Sequence, residues 1–162
     1  MKRTSCYNRL FNFFFLLIPL ALSLPAQESL PTVYKLGEYE TALEEEQGHY
    51  PQTLLDACNG DMQKAFELWL GFLKELEAFA KQSGCELDGS SIWLQVFFQA
   101  DGSISHIGYY PKPNSRVLDD ETFKKCLESF AATYHMPLDS KQAYYNYTDV
   151  RFPLIYELYD RQ

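Results

Sequence analysis

Trp93-Leu94-Gln95-Val96-Phe97-Phe98-Gln99-Ala100-Asp101-Gly102-Ser103-Ile104 is the stretch on which the fold turns. Ile92, Leu94, Val96 and Phe98 occupy every second position, the period of a strand with one buried face. Asp101-Gly102 supplies a tight turn, because glycine takes positive φ without steric cost. With those two residues at the centre, Phe98 faces Ser105, Val96 faces Ile107 and Leu94 faces Tyr109. Apolar meets apolar on one side, as a half-buried antiparallel pair requires. A hairpin is therefore predicted, with His106 on its other face near Phe97.

Outward from the hairpin toward the C-terminus, residues 111–118 read as a loop. Asp119 or Asp120 caps a helix whose apolar stripe is Phe123, Cys126, Leu127, Phe130, Ala131 and Tyr134, ended by Pro137. Val150, Phe152, Leu154, Tyr156 and Leu158 then alternate with Arg151, Pro153, Ile155, Glu157 and Tyr159, which predicts a long final strand. Pro153 has no donor for a ladder, so that strand is expected at a sheet edge.

Toward the N-terminus, the spacing predicts a helix from about Asp61 to Ser83. Asp61 is its cap and Gly84 its left-handed stop. Its stripe is Met62, Ala65, Phe66, Trp69, Leu70, Leu73, Leu76, Phe79 and Ala80. Glu38 to Gln47 favours a further helix, ending at Gly48, and residues 27–37 read as extended. The fold expected is α+β: a small antiparallel sheet, made of the hairpin and the long C-terminal strand, packed against two or three helices. It forms a single domain over 27–162, with a helical part at 27–84.

Lys2, Arg3 and Arg9 precede an apolar run from Leu10 to Leu24, followed by small residues. This is the layout of a secretory signal over about residues 1–26, and the run is shorter than the roughly 20 residues that span a bilayer. Export is therefore expected. The 162-residue chain is 46% apolar and 22% charged, so it can build a core. Its formal net charge is −8, and removing three basic residues makes the remainder more acidic still. Such a surface disfavours nucleic acid and is repelled by anionic lipid, so no nucleic acid and no direct anionic-membrane binding are expected.

Beyond the signal lie Cys58, Cys85 and Cys126. A Cys58–Cys85 bridge would need the chain to fold back along a helix about 33 Å long, although a disulfide needs Cα atoms within about 7 Å. Three buried thiols are the expectation, with any pairing left open.

From residue 91 the order is strand, DG turn, strand, capped helix near Asp120, final strand. The 93–104 stretch, that helix and Val150-Arg151-Phe152-Pro153-Leu154-Ile155-Tyr156 together resemble the C-terminal domain family of TonB energy transducers. The resemblance covers about residues 91–160, including the apolar-Pro-apolar element Phe152-Pro153-Leu154. The Pro-rich rod and membrane anchor of a transducer are not part of it. It implies an exported, non-catalytic protein-binding module of a Gram-negative envelope, in the periplasm or at the outer membrane, in contact with a receptor or transport component. Members of that family bind by adding a strand to the sheet edge, and here Tyr145, Tyr147 and Arg151 are the expected partner-binding residues.

Reactive groups do not cluster along the chain. His49, His106 and His135 lie on separate elements without metal-ligand spacing. Glu44-Glu45-Glu46 diverge by about 100° per residue on a helix and cannot converge on one ion. Cys126 and His135, read as one helix, are about 13 Å apart along its axis. No phosphate loop or nucleophile elbow occurs, so no catalytic, metal or cofactor residue is assigned. The tyrosines at 109, 110, 144, 145, 147, 156 and 159 are expected to gather near the final strand, where their amphipathic rings suit an interface. The alternative is a small-ligand carrier or hydrolase whose pocket lies between the 61–83 helix and the sheet.

Overall fold

A computed structural model describes residues 29–116 and 118–155. The signal segment at 1–26, and Tyr156, Leu158 and Tyr159 of the predicted final strand, lie outside the described residues. In chain order the elements are β1 (Val33–Lys35), α1 (Glu40–Gln47), β2 (Gln52–Thr53), α2 (Leu54–Ala57) and α3 (Met62–Gln82). They continue with β3 (Ser91–Phe98), β4 (Ile104–Pro111), α4 (Asp120–Ala131) and β5 (Tyr144–Arg151). The strands form one sheet in the order β1-β4-β3-β5-β2. The fold is α+β, with an antiparallel core of β4, β3 and β5. Short strands β1 and β2 add to it in parallel, making the whole sheet mixed.

The predicted hairpin register holds for Leu94 with Tyr109 and Val96 with Ile107. It slips between Phe97 and Phe98, so Phe98 faces Ile104 rather than Ser105. A residue is taken up at the turn: Gln99 N donates to Ser103 O, and Gly102 N to Gln99 O. Gly102 has φ +85° and also serves tertiary packing. A Cβ there would stand 2.2 Å from the Met136 carbonyl oxygen, while Met136 N donates to Gly102 O. The turn thus docks the segment after α4.

Asp61 caps α3, accepting from Lys64 N at 3.0 Å, and Asp119 caps α4, accepting from Thr122 N at 3.0 Å. These carboxylates satisfy amides that the first helical turn leaves without partners. The buried face of α3 runs Ala65, Trp69, Phe72, Leu73, Leu76 and Ala80. Met62 and Phe66, expected in that stripe, are exposed, and Phe72 takes the centre. The helix is rotated so that Phe72 stacks on Trp69 and meets Phe98, Phe130 and Tyr134 edge-on. This cluster joins α3 and α4 to Ile92, Leu94, Val96 and Phe98 of the sheet.

Helix α4 ends at Ala131, short of Pro137. His135 is therefore not on the helix of Cys126; it bridges to Ser103.

The final strand differs most from expectation. It is Tyr144–Arg151 and stops before Phe152. The Phe152–Pro153 peptide is cis, and Phe152 is buried in the core. Leu154 lies outside the ladder, its N–H donating to Glu77 Oε1 of α3 at 2.8 Å. The apolar-Pro-apolar element thus turns the chain away from the sheet. Pro153 is past the edge instead of within it, so the missing donor costs the ladder nothing.

Candidate functional site

The two faces of the sheet differ. One is sealed by α3 and α4. The other carries a smaller cluster of Leu30, Tyr34, Tyr50 and Phe97, with Ala42 and Leu43 of α1 packed on it. That cover reaches only the turn end of β3. Along this outer face Phe97 is 1% exposed and Trp93 38%. On the neighbouring strands Tyr110 and Tyr147 are likewise exposed, at 45% and 54%.

An uncovered aromatic patch results. Trp93 stacks on Tyr147 with ring centroids 5.9 Å apart and planes 26° from parallel. Tyr147 stacks in turn on Tyr145 at 6.4 Å and 15°, and Tyr145 leans on the covered Phe97 at 6.0 Å. The row is anchored in the small core at one end and open to water at the other. Offset stacking of this kind holds large rings in fixed orientation. Beyond Tyr147, Asp149 pairs with Lys112, and exposed Arg151 closes the strand.

The patch borders an edge. Phe152 N donates to Ser90 O, and antiparallel pairing alternates from there. Asn146, Thr148 and Val150 accordingly turn their backbone groups toward β3. Tyr145, Tyr147, Asp149 and Arg151 turn theirs the other way. On that side β2 pairs with Tyr144 and Tyr145 only. Among the described residues, no strand pairs with Tyr147, Asp149 or Arg151 there.

Of the expected site residues, Tyr145 and Tyr147 are brought together by stacking. Arg151 shares their face at the far end of the strand. Tyr145 is half-buried with its edge taken by Thr53, so it supports the patch instead of facing a partner with its backbone. The expected gathering of tyrosines divides between the faces: Tyr109 and Tyr144 are buried in the main core, while Tyr110, Tyr145 and Tyr147 lie outside. Trp93, the centre of the patch, was not a predicted site residue. Its position two residues before Gln95 on the face of Phe97 was the available signal.

Elsewhere, His106 meets Phe97 edge-on at 6.3 Å. Its Nδ1 lies 2.9 Å from Pro31 O and its Nε2 3.6 Å from Glu46 Oε1, so it ties the lead-in and α1 to the sheet. Among the described residues, no group of three His, Cys, Asp or Glu converges as metal ligands. No described helix is long and apolar enough to cross a membrane. An open cleft of about 610 Å³ lies at the C-terminal end of α3, between Lys74, Lys81, Glu86 and Leu154.

Compared with family models, curated proteins and solved structures, the chain shows no significant match to any.

Proposed function

We propose that this protein is an exported, non-catalytic binding module of a bacterial cell envelope that takes up an extended segment of a protein partner at the β5 edge. The observation that carries the reading is the run of outward backbone groups at Tyr147, Asp149 and Arg151 beside the Trp93–Tyr147 stack. A strand added there gains main-chain hydrogen bonds from the edge, and its alternate side chains meet an aromatic surface. Exposed tyrosine and tryptophan supply contact area at small entropic cost, and such residues dominate binding energy at interfaces. The order β3, turn, β4, α4, β5 is what remains to support the resemblance to the TonB terminal family, and a receptor or transport component as partner, since Phe152-Pro153-Leu154, which also carried it, lies outside the strand. The signal-like first 26 residues support export.

Capture from envelope extracts tests this with three variants. Asp149→Pro removes an outward N–H and leaves the β3 ladder intact. Asp149→Ala controls for the Lys112 pair. Tyr147→Ala opens the stack. Loss of a captured protein with Asp149→Pro and Tyr147→Ala, but not with Asp149→Ala, is expected. An unchanged set of captured proteins across all three overturns the reading.

A second reading, a small-ligand carrier or hydrolase, was expected to have its pocket between the 61–83 helix and the sheet; the cleft that supports it lies instead between the end of α3, the 84–88 connection and Pro153-Leu154. A ligand retained through purification and released by Lys81→Glu would favour it.

A further inference from the structure

Helix α3 carries apolar side chains on a flank that the core does not use. Met62 is 72% exposed and Phe66 46%, and Leu70, one step further, is half-buried. At 3.6 residues per turn, Phe66, Leu70 and Glu77 fall within about 40° of one another around the helix axis. Roughly half a turn away, Phe72 and Phe79 pack on Phe130 of α4. The flank of Phe66, Leu70 and Glu77 therefore faces away from α4. The chain reaches this flank just after β5. Leu154 N donates to Glu77 Oε1 at 2.8 Å, and Pro153 and Leu154 border the cleft together with Lys74 and Lys81. Ile155, the next residue, is 72% exposed. Tyr156-Glu157-Leu158-Tyr159-Asp160-Arg161-Gln162 follows, outside the described residues. Back along the axis from Glu77, Leu70 lies about 10 Å away and Phe66 about 16 Å. An extended chain covers those distances within about five residues of Leu154, so Tyr156, Leu158 and Tyr159 are all in range.

We propose that the C-terminal segment, residues 156–162, turns back along α3 and covers Met62, Phe66 and Leu70. Its composition suits that surface. Tyr156 and Leu158 are two residues apart and so share one side of an extended chain, the side that meets the flank. Glu157 passes Lys74 on the way, bringing a carboxylate to an ammonium group. A segment of the same chain faces this surface at an effective concentration in the millimolar range, so it takes the surface ahead of a separate partner. Covered in this way, the apolar flank is withdrawn from water. The contact is made by side chains of α3 and leaves the backbone edge of β5 at Tyr147, Asp149 and Arg151 open, so it stands independently of strand docking there.

The test places the photo-cross-linker p-benzoylphenylalanine at position 158 of the purified protein. After irradiation and tryptic digestion, a cross-link within one chain to the peptide of residues 65–74, which carries Phe66 and Leu70, is expected. Cross-links between two chains, cross-links to other peptides only, or none at all overturn the proposal. Thermal unfolding gives a second readout. Phe66→Asp and Leu158→Asp should each lower Tm by about 4 °C. The double variant should fall no further than either one alone, because both substitutions break the same contact. Single variants that melt with the wild type, or losses that add in the double variant, overturn it. Where a variant fails to fold, the cross-link still decides.

Discussion

The indole of Trp93 and the ring of Tyr147 stack 5.9 Å apart across neighbouring strands, although they are not direct partners. Trp93 is registered with Asp149, and Tyr147 with Gln95. The contact is a diagonal one, within reach because both rings are large. It is placed where α1 and the lead-in stop covering the outer face, so the pair is organised by the fold yet wet.

The two tryptophans should report this difference. Trp69 is 8% exposed and stacked on Phe72, whereas Trp93 faces water. Acrylamide should quench the Trp93 component strongly and the Trp69 component weakly. Trp93→Phe should remove the quenchable part while lowering stability by no more than about 1 kcal/mol, as for an exposed position. Equal quenching in wild type and Trp93→Phe would contradict the placement.

Phe72 is fully buried among Trp69, Phe98, Phe130 and Tyr134. Phe72→Ala should cost about 3–5 kcal/mol in urea denaturation, because the rings around it are held by separate helices and a strand and cannot close the cavity.

Gly102 and Gly37 both have positive φ, but only Gly102 is crowded. A Cβ at Gly37 meets nothing within 4 Å, so Gly37→Ala should lose only the backbone preference, about 1 kcal/mol. Gly102→Ala must push back the Met136 carbonyl, and should cost at least about 2 kcal/mol.

Much of this was legible beforehand. The hairpin pairing and both helix caps follow from period-two spacing, Asp-Gly, and aspartates placed before apolar stripes. The end of the chain was not legible, because Phe152 and Leu154 imitate strand alternation while one packs into the core and the other binds a helix carboxylate. True β5 hides its period: Tyr144, Asn146, Thr148 and Val150 share its inner face, and two of those four are polar. Tyr145, Tyr147 and Arg151 were legible as a group because they share one face. Trp93 was missed because its exposure depends on how far α1 reaches across the sheet, which no local pattern records.

Acid should weaken the fold through aspartates at two helix starts and in the hairpin turn. Hydrogen bonds from Thr53, Ser103 and Thr122 hold the carboxyls of Asp56, Asp101 and Asp119 below the usual carboxylate range. Each therefore binds a proton more readily when unfolded. Their contribution is present above about pH 4, the unfolded value, and is lost as pH falls through the folded values. Changing all three to Asn should lower Tm at pH 7 and leave it close to that of wild type near pH 2.

Base should act in the opposite sense. Burial raises the Tyr34, Tyr134 and Tyr144 hydroxyls. Tyr109 is raised first by burial and then by its bond to Asp120. With Cys126 at about 12, the folded chain retains protons that the unfolded chain releases. Stability is intact below the unfolded values and should fall from about pH 9 upward. Denaturation midpoints taken from neutral to alkaline pH should show the decline, with phenolate absorbance from these tyrosines appearing only as the chain unfolds.

Residue-by-residue amide exchange along β5 probes the docking edge most directly. Asn146, Thr148 and Val150, bonded to β3, should exchange slowly, and Tyr147, Asp149 and Arg151 quickly, in strict alternation. Slow exchange at Tyr147, Asp149 and Arg151 in the free protein would mean that this margin is already paired, and that no partner strand has a place there.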